Sequence, residues 1–182
     1  MKKVPYLIIV ILFLTGCYQN KRTDITQYKV IGDSIATTVQ GNLLKNVSKA
    51  VADSGFIYAV EFCHLNAENI TQAVAGNNNI ISIQRISDLN RNPKNAIKTA
   101  QDSIVFEYFK VASKDTAVVL SEKVVYYKPI NIMMPTCLKC HGEKNSMDPL
   151  LFKTIKSKYP EDLAMGYEEG DLRGMWKITM ER

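Results

Sequence analysis

The chain has 182 residues, 46% hydrophobic and 23% charged, the balance of one ordinary globular domain, which excludes collagen-like and low-complexity readings. Its formal net charge of +5 includes Lys2 and Lys3 of an apolar leader, and no lysine or arginine run is dense enough to follow a phosphate backbone, so the composition argues against nucleic acid as a partner. Without the leader the chain still supports one well-buried core, but not a second full domain.

Met1 to Val4 carries two lysines, Tyr6 to Leu14 is an almost unbroken apolar run, and Thr15, Gly16 and Cys17 follow. A basic start, a short apolar stretch and small residues before a cut describe a secretory signal. A membrane-spanning helix needs about 20 apolar residues, whereas Val4 to Leu14 supplies eleven positions with Pro5 among them. The ending LTGC resembles the lipobox of bacterial lipoproteins. That resemblance implies a signal peptide at 1–16, acylation of Cys17 and a short lipidated tether at 17–26. Several acyl chains, at about 0.8 kcal/mol per buried CH₂, hold a domain to a bilayer. The expected location is extracytoplasmic, lipid-anchored at the periplasmic side or in an outer membrane, with residues 27–182 as the functional domain.

Within that domain, Ile31, Ile35, Val39, Leu43, Val47 and Val51 form a helical stripe over Ile25 to Ala52, weakened by Gly41. Ser54-Gly55 breaks it. A second helix over Phe56 to Ala75 is stopped by Gly76 and the run Asn77-Asn78-Asn79. Its stripe is Val60, Cys63, Ala67, Ile70 and Val74; at about 100° per residue, Cys63 lies about 20° from the stripe centre and His64 about 80° away. Cys63 therefore faces inward and His64 sits at the edge.

Asn79 to Ser87 reads as a strand and Asn90-Arg91-Asn92-Pro93 as a turn. A helix is expected over Lys94 to Ala112, with a stripe of Ile97, Ala100, Ile104, Phe106 and Phe109. Thr116 to Leu120 and Lys123 to Ile130 form a hairpin about Ser121-Glu122. Pro135 before Cys137 and Gly142 after His141 favour an exposed loop there. Asp148 caps a short helix reaching Lys158, with Pro149 at its first position, and Gly174 to Met180 closes the chain as a strand. Helices followed by strands indicate an α+β domain with a small antiparallel sheet.

Cys137-Leu138-Lys139-Cys140-His141 is C-x-x-C-H, the attachment sequence of c-type haem: two thiols bond the vinyl groups while the adjacent histidine ligates iron. Zinc takes four ligands, and outside this segment only Cys63 and His64 offer sulfur or imidazole. A redox dithiol fits a C-x-x-C opening a helix after a strand, not a loop between proline and glycine. With Cys17 assigned to lipid, Cys63 is the remaining thiol. Cys63 is the better sixth ligand on geometry and His64 on frequency; the plain alternative is a buried cysteine acting as a small hydrophobe. Met133, Met134, Met147, Met165 and Met175 are further candidates, better read as core or surface filler.

Several segments together resemble one family, the exported single-haem c-type proteins with a PAS-like domain found in cyanobacteria and many other bacteria. They are AVEFCHLNAENI around Cys63, RISDLNRNPKNA from Arg85, YKPI from Tyr127, CLKCHG from Cys137 and YPEDLAMGYEEGDLRG from Tyr159. The resemblance implies a PAS-like antiparallel sheet preceded by long N-terminal helices, one covalently attached haem c, His141 as proximal iron ligand and Cys63 opposite it. His64 beside Cys63 departs from the family's pattern. A thiolate holds ferric iron more strongly than ferrous, so a low reduction potential follows. The expected function is a redox or small-gas sensor of CO, NO or O₂ in which reduction releases Cys63, read by a redox or signalling protein partner. The alternative is a tethered electron-transfer cytochrome c. No acid–base cluster accompanies the haem motif, so an enzyme is not expected.

Overall fold

The structure, a computed structural model, describes residues 24–75 and 79–182. The expected signal at 1–16, the lipid-bearing Cys17, the tether up to residue 23 and the helix stop at Gly76-Asn77-Asn78 lie outside the described residues.

Helix α1 spans Ile25–Gln72, and Asp24 caps it by accepting from the Thr26 backbone N–H at 2.9 Å. The two helices expected from the sequence are joined in this run, which is interrupted where Ser54-Gly55 predicts a break. Ser54 has φ −152° and ψ 16°, and Gly55 has φ 80° and ψ −178°, a backbone shape that only glycine adopts readily. The second stretch ends at Gln72 rather than Ala75.

In the first stretch Ile35, Ala36, Val39 and Leu43 are buried against the sheet. A four-residue step on a 3.6-residue period turns the stripe by about 40° each time. Hence Val47 and Val51 are only half-buried and the buried position passes to Ala50. Gly32 allows the helix this close an approach, because a Cβ there would lie 2.3 Å from the Tyr126 ring.

Four strands, β1 (Ile80–Ile86), β2 (Thr116–Val119), β3 (Lys123–Asn131) and β4 (Leu172–Glu181), form one antiparallel sheet in the order β1-β4-β3-β2. The expected hairpin is β2–β3, with Val119 opposite Val124. One face packs Ile83, Tyr126, Trp176, Ile178 and Met180 under α1. The other packs Ile86, Val125, Tyr127 and Met175 under helix α2 (Ala100–Val111), which contributes Val105, Phe106 and Phe109. Covering both faces explains why β3 is continuously apolar over its buried part instead of alternating.

The helix expected over Lys94 to Ala112 is shorter. Asn92 accepts from Lys94 N–H to close a 3₁₀ turn at Pro93–Asn95. Ser87 then takes the neighbouring backbone: its N–H donates to Asn95 O at 2.9 Å and its carbonyl accepts from Ile97 N–H at 3.2 Å. These bonds hold Ala96 extended, and the helix begins only at Ala100, capped by Thr99. Its orientation also differs, with Ile104 66% exposed and Asp102 buried. Asp102 accepts from Tyr127 Oη at 2.7 Å and Lys177 Nζ at 2.8 Å, so a buried carboxylate bonded to two strands sets the face.

Helix α4 (Pro149–Lys158) has the expected Asp148 cap, bonded to Leu151 N–H at 2.8 Å. It packs Leu151 and Ile155 with Met147, Tyr159 and Val60 of the second α1 stretch. This cluster and a smaller one of Ile132, Ala164 and Tyr167 flank the site.

Candidate functional site

The C-x-x-C-H segment is not the exposed loop expected from its flanking proline and glycine. Pro135–Cys137 is a 3₁₀ turn and Leu138–His141 one helical turn, α3. Cys137, Cys140 and His141 are all half-buried. Pro135 opens the turn, and Gly142 closes it by donating its N–H to Leu138 O at 2.8 Å. A Cβ at Gly142 would stand 2.6 Å from that oxygen, so glycine is required. Cysteines three residues apart on a helical turn are neighbours on one face. Cys140 packs beside the α1–α4 cluster, Cys137 and Leu138 beside Ile132, Ala164 and Tyr167.

The turn is tied to the segment after α4. His141 O accepts from Tyr167 N–H and Gly142 O from Gly166 N–H, both at 3.0 Å. His141 Nδ1 lies 2.9 Å from Ala164 O. A carbonyl only accepts, so Nδ1 carries the proton. Burial pushes the imidazole pKa well below its ordinary value, reinforced by the positive charges of Arg91 and Arg173. The ring is therefore neutral at pH 7, with its lone pair on Nε2, the form a metal takes.

Arg91 holds this arrangement together. Its Nε donates to Asp162 Oδ2 at 3.2 Å, and one terminal nitrogen donates to Cys140 O at 2.5 Å and Ala164 O at 3.3 Å. Asp162, whose side chain is fully buried, in turn accepts from Ala164 N–H at 2.9 Å. One guanidinium thus fixes the carbonyl that orients the imidazole and the backbone of the second cysteine.

Cys63 is half-buried on the second stretch of α1, one turn beyond the buried Val60 of the Cys140 cluster. Burial raises its thiol pKa, while the charges of Arg85 and Arg91 pull it down. The thiol of Cys140, raised chiefly by burial, is raised further by Cys63, which places the two sulfurs in one electrostatic neighbourhood. Cys63, Cys137 and Cys140 are unpaired.

His64, the alternative ligand, is exposed, its ring edge-on to Tyr159 at 5.1 Å. It borders a cavity of about 130 Å³ with Asn92, Pro93, Lys158 and Glu161, which neither Cys140 nor His141 lines. A larger hollow of about 520 Å³ beside Asn90, Lys156 and Leu163 contains no sulfur or imidazole. Among the described residues no three His, Cys, Asp or Glu side chains converge on a metal position. Met147 and Met175 are core filler, and Met133 and Met134 are exposed.

A family model described as Tll0287-like matches residues 18–181. The chain belongs to the Tll0287-like family. Among solved structures it is similar to the crystal structure of the cyanobacterial heme-protein Tll0287, with 24% identity over 88% of this chain and 97% of that chain and a TM-score of 0.57; at that identity the likeness is one of fold. No curated protein matches the chain. The Tll0287-like assignment agrees with the resemblance drawn from the sequence, and the fold agrees with the expected α+β class, an antiparallel sheet preceded by long N-terminal helical stretches.

In this Tll0287-like chain the sequence reading passed over Arg91, Asp162, Ala164 and Tyr167 as site residues. Arg91 read only as part of a turn. The available signal was that all four lie in the two motif segments, from Arg85 and from Tyr159, that carry the resemblance.

Proposed function

We propose that this chain is a lipid-anchored, extracytoplasmic protein carrying one covalent haem c between His141 and Cys63, and that it acts as a redox or small-gas sensor module without enzymatic output. The observation that supports this best is the commitment of His141 Nδ1 to Ala164 O inside a C-x-x-C-H turn, which leaves Nε2 as a free donor beside two unpaired thiols. The related fold is itself described as a heme-protein.

Haem supplies reversible one-electron chemistry and an iron that small gases bind. Cys137 and Cys140 would hold it through thioethers, His141 Nε2 would be the proximal donor, and Cys63 Sγ would approach from α1. Away from a metal, Cys63 keeps its proton, because burial holds its thiol pKa above the ordinary value. Release of that sulfur removes one tether of the second stretch of α1, which the Ser54-Gly55 kink joins to the first, and a shifted helix is the output a partner protein would read. Among the described residues no helix is long and apolar enough to cross a membrane; the proposed attachment is through lipid on Cys17.

The test is to express the full chain in a host that matures c-type proteins, record the alkaline pyridine spectrum, then reduce with dithionite and add CO or NO. A thioether-type haem spectrum with fast, tight gas binding supports the sensor. A haem that refuses both gases supports the tethered electron carrier instead, and a protein without covalent haem overturns the reading.

A further inference from the structure

Helix α2 is apolar on two sides. Its buried side is made by Asp102, Val105, Phe106 and Phe109. At about 100° per residue, Ala100, Ile104 and Val111 fall within about 30° of the direction pointing straight away from that side, and Tyr108 lies about 70° from it. All four are exposed, Ile104 at 66%, Tyr108 at 40% and Val111 at 87%. A helix lying on a sheet ordinarily turns polar and charged residues outward, so an apolar stripe aligned along its outer side marks a contact surface. The carboxylate on this side, Glu107, is bonded to Lys110 at 2.7 Å, and Asp88 faces the same ammonium at 3.8 Å. With exposed Lys98 and Lys114 beyond the two ends of the helix, three lysines stand against two carboxylates, and the surround of the stripe is slightly positive.

The fold brings this helix to the place where the lipid tether joins the domain. Lys29, one turn into α1, forms an ion pair with Asp115 at 3.0 Å and donates to the Asp115 carbonyl at 3.2 Å. Asp115 closely follows α2, so the first turn of α1 and the last turn of α2 meet there. Only Tyr18 to Asp24 separate Cys17 from the start of α1 at Ile25, a stretch that at 3.3–3.6 Å per residue reaches under about 30 Å. The 12 residues of α2 extend about 18 Å. Acyl chains on Cys17 therefore hold the Val111 end of the stripe close to a bilayer, and the rest of the stripe is no longer than the tether.

We infer that the outer stripe of α2 is a membrane-contact surface, with Ala100, Ile104, Tyr108 and Val111 against the bilayer that holds Cys17. The physical pattern is that of an interfacial helix, whose apolar side enters the boundary between headgroups and acyl chains while lysines reach the phosphates. Tyr108 suits that depth, with an apolar ring and a polar hydroxyl. The inference rests on the lipid-anchor reading and adds to it the side of the domain that faces lipid. Helix α1 covers the opposite face of the sheet, so the stretch that carries Cys63 is turned away from the bilayer, where a partner protein can reach it.

The test places the full-chain acylated holoprotein on vesicles of phosphatidylcholine and phosphatidylglycerol and labels it with hydroxyl radicals. Tyr58, 44% exposed on α1, is the internal reference for Tyr108. The Tyr108-to-Tyr58 labelling ratio of the wild type should be several-fold below that of Ile104→Glu combined with Val111→Glu, because carboxylates on the stripe lift it off the lipid. Equal ratios overturn the inference. Val111→Glu alone gives the same comparison should the double variant fail to accumulate. The low wild-type ratio should persist as the protein is diluted over more lipid; a ratio that climbs to the variant's value on dilution assigns the stripe to a second copy of the chain and overturns the inference as well. Failure of the lipid-anchor reading is visible separately, as wild-type protein whose mass shows no acyl groups.

Discussion

His141 belongs to a turn bonded on several sides: its carbonyl to Tyr167 N–H, its ring to Ala164 O, and the preceding carbonyl to Arg91. Cys63 belongs to a helix held over its site by apolar contacts around Val60, Ala67 and Ile70, beyond a backbone kink. The first arrangement is directional and breaks only when several hydrogen bonds break together. The second is mostly non-directional, so the helix can shift while giving up only the Gln72 bond to Ile83 O and solvent-accessible ion pairs from Glu61 and Glu68. A donor meant to stay and a donor meant to leave would be built in these two ways.

The strongest way to break the contrast is to remove the thioethers. Changing Cys137 and Cys140 together to alanine should abolish covalent haem completely, read as loss of the haem band on a denaturing gel. Next is Arg91→Ala, which strands the buried Asp162 carboxylate and frees two carbonyls. Breaking one side of such a buried pair should cost about 3–5 kcal/mol in a urea titration, and the loosened imidazole should broaden the ferric EPR signal. Gly55→Ala forces a side chain into a backbone shape suited to glycine and should cost about 1–3 kcal/mol; with open space around that position, the loss is conformational strain alone.

Cys63→Ala should cost under about 1 kcal/mol of stability, because little apolar surface is lost. Yet it should turn the ferric spectrum from a low-spin thiolate type toward high spin or a water or His64 ligand, and raise the midpoint potential. His64→Ala, with its ring against Tyr159, should leave spectrum and potential unchanged. Loss of the low-spin signal in His64→Ala alone would remove the contrast by making histidine the second donor.

Elements governed by local chemistry were legible in the sequence. The Asp148-Pro149 start of α4, the Ser54-Gly55 break, the hairpin around Ser121-Glu122 and the inward turn of Cys63 each follow from a few adjacent residues or one period. The helix over Lys94 to Ala112 was misread because Ser87, distant in sequence, claims the backbone at Asn95 and Ile97. The exposed loop at Cys137 to His141 was misread for the same reason, since it is the segment from Asp162 to Tyr167 that covers it. Arg91 and Asp162 are 71 residues apart, and no periodicity announces such a pair. Gly32 carried no signal either, because the ring it makes room for lies in β3.

The sheet order also sets a sequence of events. Strand β4, the last of the described elements, runs between β1 and β3, so β1 has no strand neighbour until Leu172 to Glu181 arrives. Pairings this far apart along the chain form late and slowly. The segment that covers the C-x-x-C-H turn immediately precedes that strand. Until both dock, the thiols of Cys137 and Cys140 are presented on an open chain; afterwards they are half-buried. The haem attachment proposed above would have to take place in that period, before the completed sheet closes over both sulfurs.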